Sequence, residues 1–103
     1  MLKKEEIKNV MDSCTEGAWY GTKSKRSFES KLGTKLIFSG RMDEPLYQEF
    51  STTCDVVLVK NGSEKILFSK TDHPITPFKK KVEIVGSIEN IENVLKKENF
   101  YEV

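Results

Sequence analysis

Apolar residues recur along this chain with two different periods. From Leu2 to Glu16, the residues Ile7, Val10, Met11 and Cys14 fall at i, i+3, i+4 and i+7, while Lys3, Lys4, Glu5, Lys8 and Asp12 fall largely elsewhere. That spacing draws one apolar stripe along a helix, and Gly17 stands where a left-handed residue would end it. Toward the other end, Ile88, Ile91, Val94 and Leu95 mark a second helical stripe from Ile88 to about Glu98, with Ser87 placed to cap it.

Between the helices the period drops to two. From Phe50 to Lys60, Phe50, Thr52, Cys54, Val56 and Leu58 share one face, and Ser51, Thr53, Asp55, Val57 and Val59 share the other. The second face begins polar and ends apolar. Asn61-Gly62 then signals a hairpin, with Glu64 to Lys70 as the return strand. A three-residue loop, Lys60 to Gly62, sets Val56 against Ile66 and Cys54 against Phe68. A two-residue turn sets Asp55 against Phe68, so packing favours the longer loop. Further strands are expected at Lys35 to Arg41, around Leu36-Ile37-Phe38, and at Lys81 to Val85, where Val82 and Ile84 share a face. Ala18 to Gly21 reads as the start of a strand with Trp19 or Tyr20 turned inward.

The connections carry their own signals. The polar stretch Thr22 to Lys31 has no period and reads as a long loop or an exposed hairpin closed by Gly33. Asp43-Glu44-Pro45 reads as a turn. Asp72 to Pro77 reads as an extended link, because each proline disfavours helix in the residue before it. The tail, Phe100 to Val103, is apolar enough to dock as a short edge strand. The order helix, strands, helix with short connections predicts an α+β fold. It is a two-layer sandwich in which four to six mainly antiparallel strands carry the N-terminal and C-terminal helices on one face.

Composition narrows the class. With 103 residues, residues 1–103 make a single domain, and 37% hydrophobic residues exceed what a disordered chain holds. No apolar run approaches the length of a membrane helix, and no apolar core follows Lys3 and Lys4, so export is not expected and a reducing, cytoplasmic location is. In that setting Cys14 and Cys54 are expected as buried free thiols, and Asn61-Gly62-Ser63 has no meaning as a glycosylation acceptor. Net charge is +1, but residues 1–41 hold nine basic against five acidic side chains while residues 42–72 hold three against six. Lysine outnumbers arginine fifteen to two, which suits a solvated surface better than arginine-fork recognition.

Candidate chemistry is sparse. No phosphate-binding glycine pattern and no metal-ligand spacing occurs, so neither cofactor nor metal is expected and no catalytic residue is assigned. Cys54 and His73 are the one Cys–His combination. With Asp55 they are the residues a small enzyme with a non-motif active site would use. Trp19, Tyr20, Lys23, Lys25, Arg26, Lys31 and Lys35, with Phe28 among them and Lys79-Lys80-Lys81 as an extension, interleave aromatics with cations. That is the composition of a nucleic-acid-binding loop over residues 23–35. Pro74 to Lys79 matches the form of an SH3 ligand. Val57, Val59, Leu67 and Val85 are expected on the sheet face away from the helices, where an apolar patch suits docking. The leading expectation is therefore a non-catalytic binding protein (regulator, inhibitor or assembly component). It docks on another protein or on itself through the sheet, with nucleic-acid binding and then enzymatic activity as alternatives.

Overall fold

The computed structural model describes residues 1–43, 50–76 and 78–103, with backbone alone at 75 and 76. A 3-10 turn at Lys4–Glu6 leads into α1, Ile7–Tyr20. The strands are β1 Lys25–Glu29, β2 Lys35–Asp43, β3 Ser51–Lys60, β4 Ser63–Thr76, β5 Lys79–Gly86 and β6 Tyr101–Glu102, with α2, Ile88–Lys97, between β5 and β6. They form one six-stranded sheet in the order β5-β4-β3-β2-β1-β6, antiparallel throughout. Both helices lie on one face, as the two apolar stripes predict.

The helix stripe is buried as its spacing requires. Ile7, Val10, Met11 and Cys14 are at most 6% exposed and pack on Phe38, Cys54 and Val56 of the sheet. Ile91 carries α2 into the same core, with Val94 and Leu95 beside it, while Ile88 stays exposed. Ser87 occupies the cap position with extended backbone but makes no side-chain hydrogen bond there; Asn90 instead donates from Nδ2 to the Leu67 carbonyl at 3.0 Å.

The structure corrects or narrows several sequence expectations. First, α1 does not end at Gly17; it runs on to Tyr20, and Gly21 takes the left-handed conformation. Trp19 and Tyr20 therefore belong to its last turn rather than to a strand. Gly17 is glycine for a different reason: a Cβ there would lie 2.0 Å from the Lys23 carbonyl oxygen. Gly40 on β2 does the same beneath the middle of the helix, where a Cβ would lie 2.2 Å from the Cys14 carbonyl oxygen. Helix and sheet thus touch backbone to backbone.

Second, of the loop and hairpin readings of Thr22–Lys31 the structure takes the hairpin: a regular strand, β1, pairs with β2 through a turn at 30–34. Only Phe28 of β1 is buried, edge-on to Phe38 with ring centroids 5.6 Å apart.

Third, the β3–β4 turn is the two-residue kind, with Lys60 opposite Ser63 and positive φ at Asn61 and Gly62. The mismatch this would cause is removed by a β-bulge. Val57 pairs with Ile66, but Val56 pairs with Phe68, so the intervening Leu67 is an extra residue. Leu67 and Phe68 both turn into the core, each 3% exposed. Leu67 therefore leaves the face it was expected to share with Val57, Val59 and Val85.

The Asp72 to Pro77 segment is the far part of β4 as far as Thr76, not a link. The Asp43-Glu44-Pro45 turn falls on residues 44 and 45, outside the described residues.

The tail docks as an edge strand. Phe100 is fully buried and its carbonyl accepts from the Leu2 amide at 2.7 Å. Arg26 on β1 holds Glu102 of β6 with two hydrogen bonds of 2.7 Å, while its guanidinium lies over the Phe28 ring. These bonds hold the Glu102 carboxyl below the usual glutamate range. A lowered carboxyl pKa means stability that is present above the unfolded-state value and lost as pH falls through the folded-state value. The Tm gap between the native protein and Arg26→Ala is therefore expected to shrink from pH 6 toward pH 3. Because both groups are well over a quarter exposed, the gap stays within about 1 kcal/mol. Thermal melts across that range check it.

Candidate docking face

The side of the sheet away from the helices is built from alternate residues of every strand. In register across three strands lie Ile66 of β4, Val57 of β3 and Ile37 of β2, with Val59 one step along β3. Ile66 is 58% exposed, and the other three are half-buried. Neither helix packs on this side, and farther along β3 Thr53 and Ser51 are buried on it. The quartet is a contiguous apolar patch open to solvent.

Its borders are polar. Lys35 pairs with Glu29 across β1 and β2 at 3.8 Å, and Glu64 lies opposite Val59. On the opposite border Asp55 accepts from the Ser69 hydroxyl at 2.6 Å and from Arg41, which also reaches Asp43 at 3.5 Å. Beyond it, Thr53 and Thr71 share a hydrogen bond of 2.9 Å. Then Glu83 sits between Lys81 at 3.3 Å and His73 at 3.7 Å. Lys81 first, and His73 second, hold the Glu83 carboxyl below its ordinary range. An apolar centre with paired charges around it is the usual anatomy of a protein interface.

Of the four residues expected to form this patch, Val57 and Val59 lie in it. Val85, 65% exposed, sits one strand further out, opposite Ser69 and diagonal to Ile66 across the bulge. Leu67 does not belong to it. Ile37 and Ile66 do, although strand parity alone leaves them unassigned until β2 and β4 are placed in register.

The basic residues are not gathered. Lys23 and Lys31 flank opposite ends of β1, roughly 26 Å apart at strand spacing. Phe28 is inside the protein, Arg26 is committed to Glu102, and Lys35 pairs with Glu29. Lys25 sits opposite Ser39 on the helix-free side, whereas Trp19 and Tyr20 project from the end of α1 on the other. Trp19 meets the Phe50 ring edge-on, with centroids 6.1 Å apart.

The candidate catalytic residues are also separated. Cys54 faces the helices, and burial foremost pushes its thiol up to about 12, so it stays protonated at neutral pH. Cys14 is shifted the same way by burial, and its Sγ points at the Phe38 carbonyl. His73 and Asp55 lie on the opposite side of the sheet from Cys54, four β4 residues apart in register, or roughly 13 Å. The Pro74 to Lys79 motif lies partly outside the described residues.

One concave region lies on the helix side. A cavity of about 340 Å³ runs between the end of α1 and the far part of β4, lined by Trp19, Tyr20, Phe50, Asp72 and Lys80 among others. A smaller one, about 180 Å³, continues it toward Ile88 and shares Thr15 and Asp72. Lys80 stands 3.7 Å from Asp72 in an ion pair. Among the described residues no cluster of three or more His, Cys, Asp or Glu could hold a metal ion, and no helix is long and apolar enough to cross a membrane. Comparison with family models, with curated proteins and with solved structures gives no match to this chain.

Proposed function

We propose that this is a non-catalytic docking protein that binds another protein on the helix-free side of its sheet. The observation that carries the reading is the in-register apolar patch of Ile66, Val57, Ile37 and Val59, open to solvent and bordered by paired charges. An antiparallel sheet with one covered face normally presents polar residues on the other. Here Ile37, Val57, Val59 and Ile66 adjoin on that second face, an arrangement that suits a partner laying its own apolar surface across three strands. The separation of Cys54, His73 and Asp55 favours docking over catalysis.

The test places a photoreactive side chain at Val59, within the patch, and at Lys8 on α1 as a control, in the host that makes the protein. A defined partner is expected to crosslink from Val59 and not from Lys8. Val57→Asp and Ile66→Asp are each expected to weaken that partner's binding about tenfold or more while leaving the fold intact. Equal crosslinking from both positions, or unchanged binding by both variants, sinks the reading.

A further inference from the structure

The two edges of the sheet are unlike. One is β6, only two residues long. The other is β5, which pairs with β4 and with no other described strand, and all eight of its residues, Lys79–Gly86, are exposed. Its outer row of amide and carbonyl groups is a template for another strand, which proteins usually blunt with charge, proline or a covering element. The lysines 79–81 do this for one end only. The rest reads Val82-Glu83-Ile84-Val85, with Val82 and Ile84 40% and 58% exposed on the helix side and Val85 exposed on the other. Neither helix reaches over them.

The sequence of β5 is complementary to itself. In an antiparallel pair of identical strands, residues facing each other lie on the same side of the sheet, so the pivot falls on a residue. Pivoting on Lys81 or Glu83 sets a charge against its own copy. Pivoting on Ile84 leaves only residues 82–86 to pair. Pivoting on Val82 uses Lys79 through Val85, sets Lys81 of each copy opposite Glu83 of the other, and puts Val82 against Val82 with both Ile84 side chains diagonal to it. Within one chain Lys81 and Glu83 already lie 3.3 Å apart on that side, so the second copy extends an existing line of alternating charge.

We propose that β5 is a self-recognition edge. Two copies join antiparallel, pivoting on Val82, into one continuous sheet. The two-fold axis is perpendicular to the sheet, so all four helices lie on one side and both docking patches on the other. This interface is distinct from the docking patch and does not depend on it.

Sedimentation equilibrium on the full chain tests both the pairing and its register. The native protein is expected to be a dimer. Glu83→Lys brings lysines 81 and 83 together across the pair, and Lys81→Glu brings two glutamates together. Each variant alone is expected to raise the dissociation constant about tenfold or more. Mixed in equal amounts they are expected to form a heterodimer, because every cross-strand contact again joins opposite charges; this also proves that both variants are folded. A native protein that stays monomeric at its highest soluble concentration, or a mixture that dissociates as readily as either variant alone, overturns the proposal. So does a dimer broken by Ile66→Asp and not by Glu83→Lys, since the copies would then be meeting through the patch.

Discussion

Leu67→Asp is expected to cost about 4 kcal/mol or more, a large part of the stability of a domain this small, while Ile66→Asp changes it by about 0.5 kcal/mol or less. The residues are neighbours in the chain, and both are aliphatic. They differ because the two-residue turn sets Ile66 opposite Val57 on the outer side, so the next residue turns inward, and the bulge then keeps Phe68 inward as well. Ile66 pairs with Val57 and points to solvent, whereas Leu67 is the extra residue and is 3% exposed beside Phe68. A carboxylate at 67 has no partner in the core and takes the leucine's packing with it. A three-residue loop with a regular ladder would instead set Leu67 opposite Asp55 on the outer side, where aspartate costs little. Urea titration of both variants separates the cases; a mild effect at 67 contradicts this register of β4 on β3.

Gly40→Ala is expected to be the next most damaging change. Its Cβ would lie 2.2 Å from the Cys14 carbonyl oxygen, 2.6 Å from the carbonyl carbon and 3.1 Å from the Thr15 amide nitrogen. All three are backbone atoms in the middle of α1, so relief requires lifting the helix off β2. Lifting it opens the layer where Cys14 and Phe38 meet. Overpacking of this kind costs about 3 kcal/mol, or a fall in Tm of roughly 12–24 °C for a domain of this length. Alanine is the better helix former at Gly17 in isolation, yet Gly17→Ala should also destabilise, since the Lys23 carbonyl occupies the space. Thermal melts of both variants measure this; a neutral Gly40→Ala would mean that α1 and β2 are not in backbone contact.

The parts of the fold that could be read from the residues are those where burial repeats. The stripe Ile7, Val10, Met11 and Cys14 and the alternation from Phe50 to Leu58 each bury one face over several turns or pleats, so their period is written in the chain. β1 is short and buries only Phe28, which leaves no period to find. The end of α1 was misplaced because a glycine can serve conformation or proximity, and only the path of Lys23 distinguishes them at Gly17. The β3–β4 register shows the right principle with the wrong device. Apolar residues do face apolar residues, but a bulge achieves it rather than a longer loop, and Ile66-Leu67-Phe68 is apolar at every position, so it hides which residue is extra.

The candidate site divides in the same way. Val57 and Val59 follow from parity within one strand, whereas Ile37 and Ile66 required the pairing of three. The arrangement of the basic residues is hidden in the sequence for a simpler reason. Neighbours along a strand point to opposite sides, so Lys25 lies across the sheet from Arg26 and Phe28, which share the helix side.

Sheet order follows chain order from β1 to β5, so each of those four ladders joins consecutive segments. Only the two-residue β6 returns from the far end to close beside β1. Little loop entropy therefore has to be surrendered before pairing begins, and the sheet can zip one hairpin at a time. Among β-rich topologies this lowers contact order and speeds folding. The one ladder that joins distant parts of the described chain is that of β1 with β6, where Arg26 holds Glu102.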